Sequence, residues 1–331
     1  MAERETLTSL TTVIDRGLLQ NGINFDETRI SAARRPCPGM RPHRRHSRRR
    51  GVGGAGDLFG RAAARRFRPT PVLQKYCIAS GIPVTSSEHV TDAALQMAAE
   101  IASQMLSVMP AVRERLVDIQ SRIAVIGAHQ ATSDIPEYKS LVPFYPNIDQ
   151  RTRGIGAGTV AIPITSGAEE NLLCYQIDRY RGQNIFLHEF SHTIKLLGIQ
   201  SIDPSFGLKV QQAYDHAKAA GLWANTYSMA NAEEYWAEGV QSYFDANKMV
   251  DRPNGIHNAI GTRAKLKEYD RDLFSLIDAA FKATAWRPRC PDLGLLLRPS
   301  CRLQSETYVV PSESGSERNV KVVRCLPVPS R

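Results

Sequence analysis

The sequence lacks the features that would direct a chain into or across a membrane. No apolar run approaches the roughly 18–20 residues that span a bilayer, so we predict no transmembrane helix. The first residues carry acids and lack the apolar core of a secretory signal, so none is expected. No Asn-x-Ser/Thr sequon occurs, so glycosylation gives no indication of export.

Closely spaced cysteine pairs are also missing. No C-x-x-C occurs, which argues against a thiolate zinc site or a redox pair. An even number of cysteines permits disulfides in an exported protein, but the sequence does not choose among the possible pairings. Buried free thiols at Cys77 and Cys174 fit the pattern equally well. The cysteines are Cys37, Cys77, Cys174, Cys290, Cys301 and Cys325.

Excess positive charge is absent outside one segment. The net charge is +9, yet residues 31–70 alone hold 12 Arg, no Lys and one acid, Asp57. The rest of the chain carries 30 basic and 32 acidic side chains. Because a phosphate-binding fold would carry the excess on its folded surface, nucleic-acid binding there is not expected. The Arg-rich segment is predicted to be disordered, either as a linker or as a nucleic-acid-binding arm.

The chain divides into three parts by composition. Residues 1–70 are of low complexity, residues 71–288 have the texture of a folded domain, and residues 289–331 are predicted to be an irregular tail. Apolar periodicity predicts helices at 10–19, 90–109, 182–197, 208–221, 232–246 and 262–281, and strands at 122–127 and 159–164. These elements predict an α+β fold that is mostly helical.

Four local features refine these elements. Thr91 is suited to cap the helix at 90–109, and Pro110 fits its end. The glycine-rich residues 154–158 are predicted to form a loop. Pro163 has no N–H group to donate, so the strand that contains it is expected at the edge of the sheet.

An H-E-x-x-H motif is the strongest chemical signal. It reads His188-Glu189-Phe190-Ser191-His192 and lies in the predicted helix at 182–197. Positions i and i+4 of a helix point the same way, so His188 and His192 can bind one zinc ion. Glu189 can take a proton from the attacking water and pass it to the leaving amine. The alternative is a pair of core histidines satisfied by hydrogen bonds.

A catalytic zinc ion needs a third protein ligand and one open position. A metzincin would carry glycine and histidine where this chain has Lys195 and Gly198, which excludes that class. His216 is one candidate for the third ligand.

The predicted helix at 232–246 offers a second candidate. Glu234 and Glu238 lie one turn apart on one face, so Glu234 can be the ligand and Glu238 the acceptor that orients an imidazole. Glu233 points about 100° away and is expected to be solvated. An ordinary charged helix face is the alternative for this cluster.

Tyr227 lies seven residues before Glu234 in a stretch without helical periodicity. A phenol near the metal could donate a hydrogen bond to the oxyanion of a tetrahedral intermediate. By spacing alone, an ordinary surface tyrosine is the alternative.

Together these residues resemble a known family. The His188–His192 motif, then Tyr227, then Glu234-Tyr235-Trp236-Ala237-Glu238 is similar to the anthrax lethal factor-related metalloendopeptidases, gluzincin-like enzymes with the Pro-Pro endopeptidases as relatives. The resemblance implies zinc ligands at His188, His192 and Glu234. It also implies a general base at Glu189 and a catalytic tyrosine at Tyr227. Glu238 would be a residue that supports the metal ligands without binding the metal itself.

Segments 134–138, 153–156 and 170–174 look like one branch of this family. The resemblance covers roughly residues 71–288. It implies a zincin-like domain with an active-site helix, one zinc ion per chain and a peptide bound along the edge strand at 159–164. Members of this branch look secreted, whereas this chain shows no signal sequence.

The sequence thus predicts a zinc-dependent metalloendopeptidase that acts on a peptide or protein substrate. One alternative is an inactive, metal-binding relative that serves as a peptide-binding module. Another is nucleic-acid association through residues 31–70. The substrate, the cleavage preference and the oligomeric state do not follow from the sequence.

Overall fold

A small sheet and a larger set of helices make up the protein, as the α+β prediction requires. The computed structural model describes residues 74–290, 301–311 and 317–327. The predicted helix at 10–19 and the Arg-rich residues 31–70 lie outside the described residues. The strands are β1 (Lys75–Ala79), β2 (Ile82–Ser86), β3 (Arg122–Ile126), β4 (Gly154–Ile155), β5 (Ile164–Ala168), β6 (Cys301–Pro311) and β7 (Glu317–Pro327).

The helices dominate the described part of the chain, which confirms the mostly helical class. They are α1 (Asp92–Leu106), α2 (Pro110–Asp118), α3 (Ile148–Arg151), α4 (Glu169–Leu172), α5 (Ile185–Thr193), α6 (Gln200–Ile202), α7 (Phe206–Ala219), α8 (Ala232–Tyr243), α9 (Arg263–Tyr269) and α10 (Arg271–Phe281). Short 3₁₀ turns cover Thr132–Asp134, Pro136–Leu141 and Tyr227–Met229, and a π-helical turn, Ile194–Ile199, extends α5.

Five strands form the main sheet in the order β1-β2-β3-β5-β4. The inner pairs β2–β3 and β3–β5 are parallel, and the outer pairs are antiparallel. Successive residues of β3 face opposite ways, so Ile123 and Val125 join the main core and Ala124 and Ile126 join a second cluster. Burial on both faces explains the unbroken apolar run of this strand.

The main core continues from the sheet into the helices. Helices α1 and α5 pack on the sheet, and α8 packs between α5, α7 and α10. Aromatic rings fill these contacts; Trp236 stacks on Phe281 and meets Phe206 edge-on. Each such ring contributes about 1.5–3 kcal/mol by burial, which holds α8 against α7 and α10.

The boundary between α1 and α2 follows the sequence prediction. The Thr91 hydroxyl accepts a hydrogen bond from the Ala94 N–H at 3.3 Å, which confirms the N-cap. Helix α1 ends at Leu106, and Pro110 opens α2 at its first position, where a missing N–H costs nothing.

The edge strand differs from the prediction. Residues 159–164 do not form a strand; the chain makes only an isolated bridge between Thr159 and Ile162, and β5 starts at Ile164. The edge is instead β4, within the glycine-rich segment predicted to be a loop. Its glycine reflects close packing, because a Cβ on Gly154 would lie 2.9 Å from the Ile185 side chain.

The predicted helix at 262–281 is interrupted at Asp270. This residue is extended, and its Oδ1 accepts from the Leu273 N–H at 3.0 Å, which caps α10. Its Oδ2 accepts from Trp223 Nε1 at 2.8 Å and from the Tyr235 hydroxyl at 2.6 Å. The tertiary partners of this buried carboxylate therefore account for the break.

The C-terminal segment also differs from the prediction of an irregular tail. Strands β6 and β7 pair as a long antiparallel hairpin. The valine, threonine and tyrosine residues of this segment favour strands, and this preference outweighs its proline, serine and arginine content.

The three cysteines within residues 74–290 are in disulfides. Cys174, just after α4, is bonded to Cys290, and Cys77 is also in a disulfide. No free cysteine therefore occurs between residues 74 and 290. The first bridge closes a long stretch of chain that includes α5 and α8, which restricts the unfolded state.

None of the helices in the described ranges is both long enough and apolar enough to cross a bilayer.

Candidate metal centre

Helix α5 carries the H-E-x-x-H motif, and its start is fixed by two asparagines. Asn184 is the N-cap, and its Oδ1 accepts from the Leu187 N–H at 2.8 Å. The Asn171 Oδ1 accepts from the Ile185 N–H at 2.7 Å, which satisfies another free donor of the first turn. Fully buried Phe186 and Phe190 then anchor one face of the helix in the core.

Helix α5 packs unusually close to the sheet, and a glycine in β5 makes this approach possible. A Cβ on Gly167 in β5 would lie 2.6 Å from the Phe186 Cβ, so only glycine permits this approach. Thr193 ties the end of the helix to the sheet, because its hydroxyl lies 2.6 Å from the Thr165 hydroxyl and accepts from the Ala157 N–H at 2.9 Å.

Helix α8 brings the carboxylates. The side chain of Asn231 caps it by accepting from the N–H groups of Glu233 and Glu234, both at 2.9 Å. Tyr235 and Trp236 lie in the core, which orients the helix so that Glu234 faces α5. The cap and the two aromatic residues therefore determine where this carboxylate points.

Three ligand atoms converge between α5 and α8. Nε2 of His188 lies 3.0 Å from Oε2 of Glu234 and 3.2 Å from Nε2 of His192. The third separation, from His192 Nε2 to Glu234 Oε2, is 3.6 Å. All three side chains are buried, and together they form a group that could hold a metal ion.

The triangle of ligand atoms has the right size for a small divalent cation. The circle through three atoms that are 3.0, 3.2 and 3.6 Å apart has a radius of about 1.9 Å. A point about 2.0–2.1 Å from each atom therefore exists just outside their plane, at the bond length of zinc to imidazole and carboxylate. Tetrahedral ligands at that length are about 3.3–3.4 Å apart, which matches the mean separation here.

The electrostatics of the group favour a cation. Burial alone lowers the pKa of His188, but the hydrogen bond and charge of Glu234, aided by Glu189 and Glu238, raise it to about 10. Burial raises the pKa of Glu234, yet the imidazoles of His192 and His188 hold it well below its usual range. The raised pKa of His188 reflects the negative charge of the three carboxylates around it, which a bound cation would offset.

Glu189 differs from the three ligand residues because it is half-buried and keeps some exposure. Burial raises its pKa above the ordinary glutamate value, and the nearby imidazoles of His188 and His192 oppose the shift. The backbone N–H of Gly156 favours the charged carboxylate and also opposes the rise in the pKa of Glu189. A Cβ on Gly156 would lie 2.6 Å from the Glu189 backbone oxygen, so this approach requires glycine.

The sequence assigned Glu238 as the acceptor that orients an imidazole, but the structure places Gln241 in that position. The Gln241 Oε1 is 2.9 Å from His188 Nδ1, whereas the nearest Glu238 oxygen is 3.6 Å away, beyond hydrogen-bond distance. Glu238 instead accepts from the Asn247 amide at 2.9 Å. In this structure the oxygen closest to His188 Nδ1 thus belongs to Gln241, while the charge of Glu238 still acts on His188.

Tyr227 is close to the three carboxylates of the site. Burial and the charges of Glu234, Glu189 and Glu238 raise the pKa of Tyr227 well above its usual range, and the interaction of its hydroxyl with the Glu234 carboxylate adds to the rise. Its backbone N–H donates to the Ile256 carbonyl at 2.9 Å, which fixes the turn. The phenol therefore stays protonated and can donate a hydrogen bond.

His216, the other candidate for the third metal ligand, lies outside the site. It is on α7, its side chain is 72% exposed, and its Nδ1 is 2.5 Å from Asp272. The structure therefore brings Glu234, and not His216, to the imidazoles of His188 and His192.

Glu233 was expected to be solvated, and this is wrong. Its carboxylate is 2.5 Å from the ammonium of Lys195, a residue of the π-helical turn that is only 1% exposed. Burial lowers the pKa of Lys195, and the charge of Glu233 opposes the shift. This ion pair joins the continuation of α5 to the first turn of α8.

We expect the Glu233→Gln substitution to lower the free energy of unfolding by about 3–5 kcal/mol, because it leaves a buried ammonium without its partner. Urea unfolding followed by circular dichroism measures the loss. Lys209→Met, which removes an ion pair whose side chains are 50% and 42% exposed, is the control and should cost less than about 1 kcal/mol. Equal losses in the two variants would contradict the prediction.

A second buried ion pair supports the strand beside the motif. Arg153 binds Glu170 through two hydrogen bonds of 2.6 and 3.0 Å and donates to the carbonyl groups of Gln130 and Gly127. It therefore holds the chain immediately before Gly154. Sequence reasoning noted segments 153–156 and 170–174 only as family-like, because a side-chain pair 17 residues apart has no periodic signal.

The fold and site define an α+β, mostly helical protein with a buried two-histidine, one-glutamate group suited to a metal ion. No protein-family model matches the chain, and no curated protein matches it. Among solved structures, the chain is similar to a Pro-Pro endopeptidase, PPEP-2, from Paenibacillus alvei. The TM-score is 0.36 and the identity 14%, over 56% of this chain and 90% of that one. Likeness at this level carries no weight for function.

Proposed function

We propose that this chain is a zinc-dependent metalloendopeptidase, with residues 71–288 as the catalytic unit. The observation that supports it most is the triangle of His188, His192 and Glu234 ligand atoms beside a half-buried Glu189. Metal, base and hydrogen-bond donor would then meet at one place between α5 and α8.

The donor set supports zinc as the metal. Two imidazoles and one carboxylate with one open position are typical of catalytic zinc, whereas magnesium and calcium prefer ligands that are all oxygen. A bound zinc ion would polarise the scissile carbonyl and lower the pKa of water from about 15.7 towards 7.

Glu189 would act as the general base. Its raised pKa brings it closer to neutral pH, where a base both accepts and returns a proton efficiently. The carboxylate would take the proton from the attacking water and deliver it to the nitrogen of the leaving amine. The Gly156 N–H would hold the carboxylate in place for both transfers.

The peptide would lie along β4, the edge strand next to α5. An edge strand offers main-chain groups that can pair with an extended peptide. The support for β4 is its position: the ideal Cβ of Gly154 would be 3.0 Å from the Glu189 side chain. A peptide paired with β4 through its main chain would place its scissile bond next to the Glu189 carboxylate.

Tyr227 would donate a hydrogen bond to the oxyanion of the tetrahedral intermediate. We expect Tyr227→Phe to lower kcat by about 10²–10³-fold, as loss of one oxyanion donor does, while zinc stays bound and KM changes little. Steady-state kinetics on a cleaved peptide measures both constants. Tyr243→Phe removes a hydroxyl bonded to Asp278 on α10 and should leave kcat unchanged. Equal kcat values for Tyr227→Phe and wild type would contradict the assignment.

The proposal is tested on the full chain by zinc analysis and a peptide-library digest. About one zinc ion per chain and discrete peptide products that disappear with a chelator are expected. Bound zinc without products would favour the inactive, peptide-binding alternative. No zinc at all would overturn the proposal. Salt-sensitive nucleic-acid binding that vanishes when residues 31–70 are deleted would favour the third alternative.

A further inference from the structure

Gln241 is a fully buried amide on the helix that carries Glu234. It follows Glu234 by seven residues, two helical turns, so it lies on the same face towards α5. Its two amide atoms have different partners there: Oε1 lies 2.9 Å from Nδ1 of His188, and Nε2 donates to the Asn184 carbonyl at 3.0 Å.

The orientation of the Gln241 amide is determined by the Asn184 carbonyl. A carbonyl oxygen only accepts hydrogen bonds, so the amide group that faces it must be the NH₂. The oxygen of Gln241 is therefore the atom that faces His188. Asn184 is held in place as the N-cap of α5. Its carbonyl oxygen also accepts a hydrogen bond from the His188 N–H at 3.2 Å.

An acceptor opposite Nδ1 determines how the His188 imidazole can act as a ligand. A neutral imidazole carries its single proton on one nitrogen. Because Oε1 of Gln241 can only accept, Nδ1 keeps its proton when zinc displaces the proton that Nε2 shares with Glu234, and the lone pair of Nε2 is then free for the metal. Nε2 is the atom that lies 3.0 Å from Glu234 and 3.2 Å from His192.

Resting on the proposed function, we propose that Gln241 is a positioning residue that sets the tautomer and the ring orientation of His188 for zinc. The side chain of Gln241 supplies the acceptor for Nδ1 while its NH₂ group stays bonded to the Asn184 carbonyl. His192 has no such partner; its Nδ1 is buried without a hydrogen bond. Of the two ligand imidazoles, His188 is therefore the one whose ring is oriented by a side-chain hydrogen bond at Nδ1.

The test compares zinc affinity in Gln241→Met and Gln241→Glu, measured by competition with a chromogenic chelator. Methionine keeps the length but presents no oxygen, and we expect a 10–100-fold loss of affinity, the usual effect of losing an outer partner of a ligand histidine. Glutamate keeps an oxygen opposite Nδ1, and we expect affinity within about threefold of wild type. Tyr243→Phe, which loses a partly buried hydrogen bond from the same helix to Asp278 on α10, is the control and should bind zinc as wild type does.

A second measurement separates positioning from general support of the fold. In the zinc-loaded protein labelled with ¹⁵N-histidine, we expect His188 to carry a proton on Nδ1, and we expect this signal to broaden or shift in Gln241→Met only. Wild-type affinity in folded Gln241→Met would overturn the inference and leave the proposed function intact. If Gln241→Met does not fold, a loss beyond 10-fold in Gln241→Glu would overturn it. Failure of the wild-type protein to bind zinc would overturn both.

Discussion

Glu189→Gln is expected to abolish peptide cleavage while the metal stays bound. The amide has the size of the carboxylate but cannot accept a proton at neutral pH, so the water is not activated. Loss of a positioned general base typically costs about 10²–10⁴-fold in rate. The ligand atoms of His188, His192 and Glu234 are untouched, so zinc content should stay near one per chain.

Zinc analysis and a quenched fluorescent substrate chosen from the library digest measure the two effects together. Glu114→Gln, the same change at a side chain that is 70% exposed on α2, is the matched control and should cleave as wild type does. Undiminished cleavage by Glu189→Gln would reject this residue as the base. Loss of zinc along with activity would mean that the substitution disturbed the site.

Glu234→Gln has the second large expected effect, a loss of zinc affinity well beyond 100-fold together with cleavage. It removes a ligand charge, whereas loss of an outer partner alone costs up to about 100-fold. The buried imidazoles of His188 and His192 would keep their positions but lack the third ligand of a catalytic zinc site.

His216→Ala is the informative control, because the sequence named His216 as the rival third ligand. Its imidazole lies exposed on α7 beside Asp272, so the variant should hold zinc as tightly as wild type. Competition with a chelator measures both affinities. The reverse result, zinc retained in Glu234→Gln and lost in His216→Ala, would show that the ligand set is wrong.

Two contacts next to the metal ligands were not predicted from the sequence. The sequence placed Glu238 on the correct face, yet Gln241 is the residue that meets His188. A glutamine two turns after Glu234 gives no chemical signal by itself. The partner of Glu233 was missed for a related reason, since the π-helical turn after α5 brings Lys195 to it.

One strand assignment and one helix assignment failed where contacts between distant segments decide the structure. The edge at β4 depends on Gly154 lying against Ile185, and the break before α10 depends on Asp270 binding Trp223 and Tyr235. None of these pairs is close in sequence. Local propensity therefore predicted a loop in the first case and a continuous helix in the second.

The helical period was enough to predict which side chains share a face of a helix. Four residues span about one turn, so His188 and His192 had to face the same way, and Glu234 had to share a face with Glu238. Packing between the elements was needed to show that these two faces meet, which oxygen lies opposite His188 Nδ1, and which strand forms the edge beside Glu189. Periodicity fixes directions within one element, whereas distances between elements depend on packing. Here they depend on the glycines next to α5, the aromatic residues around α8 and the ion pair of Lys195 with Glu233 that joins the two helices.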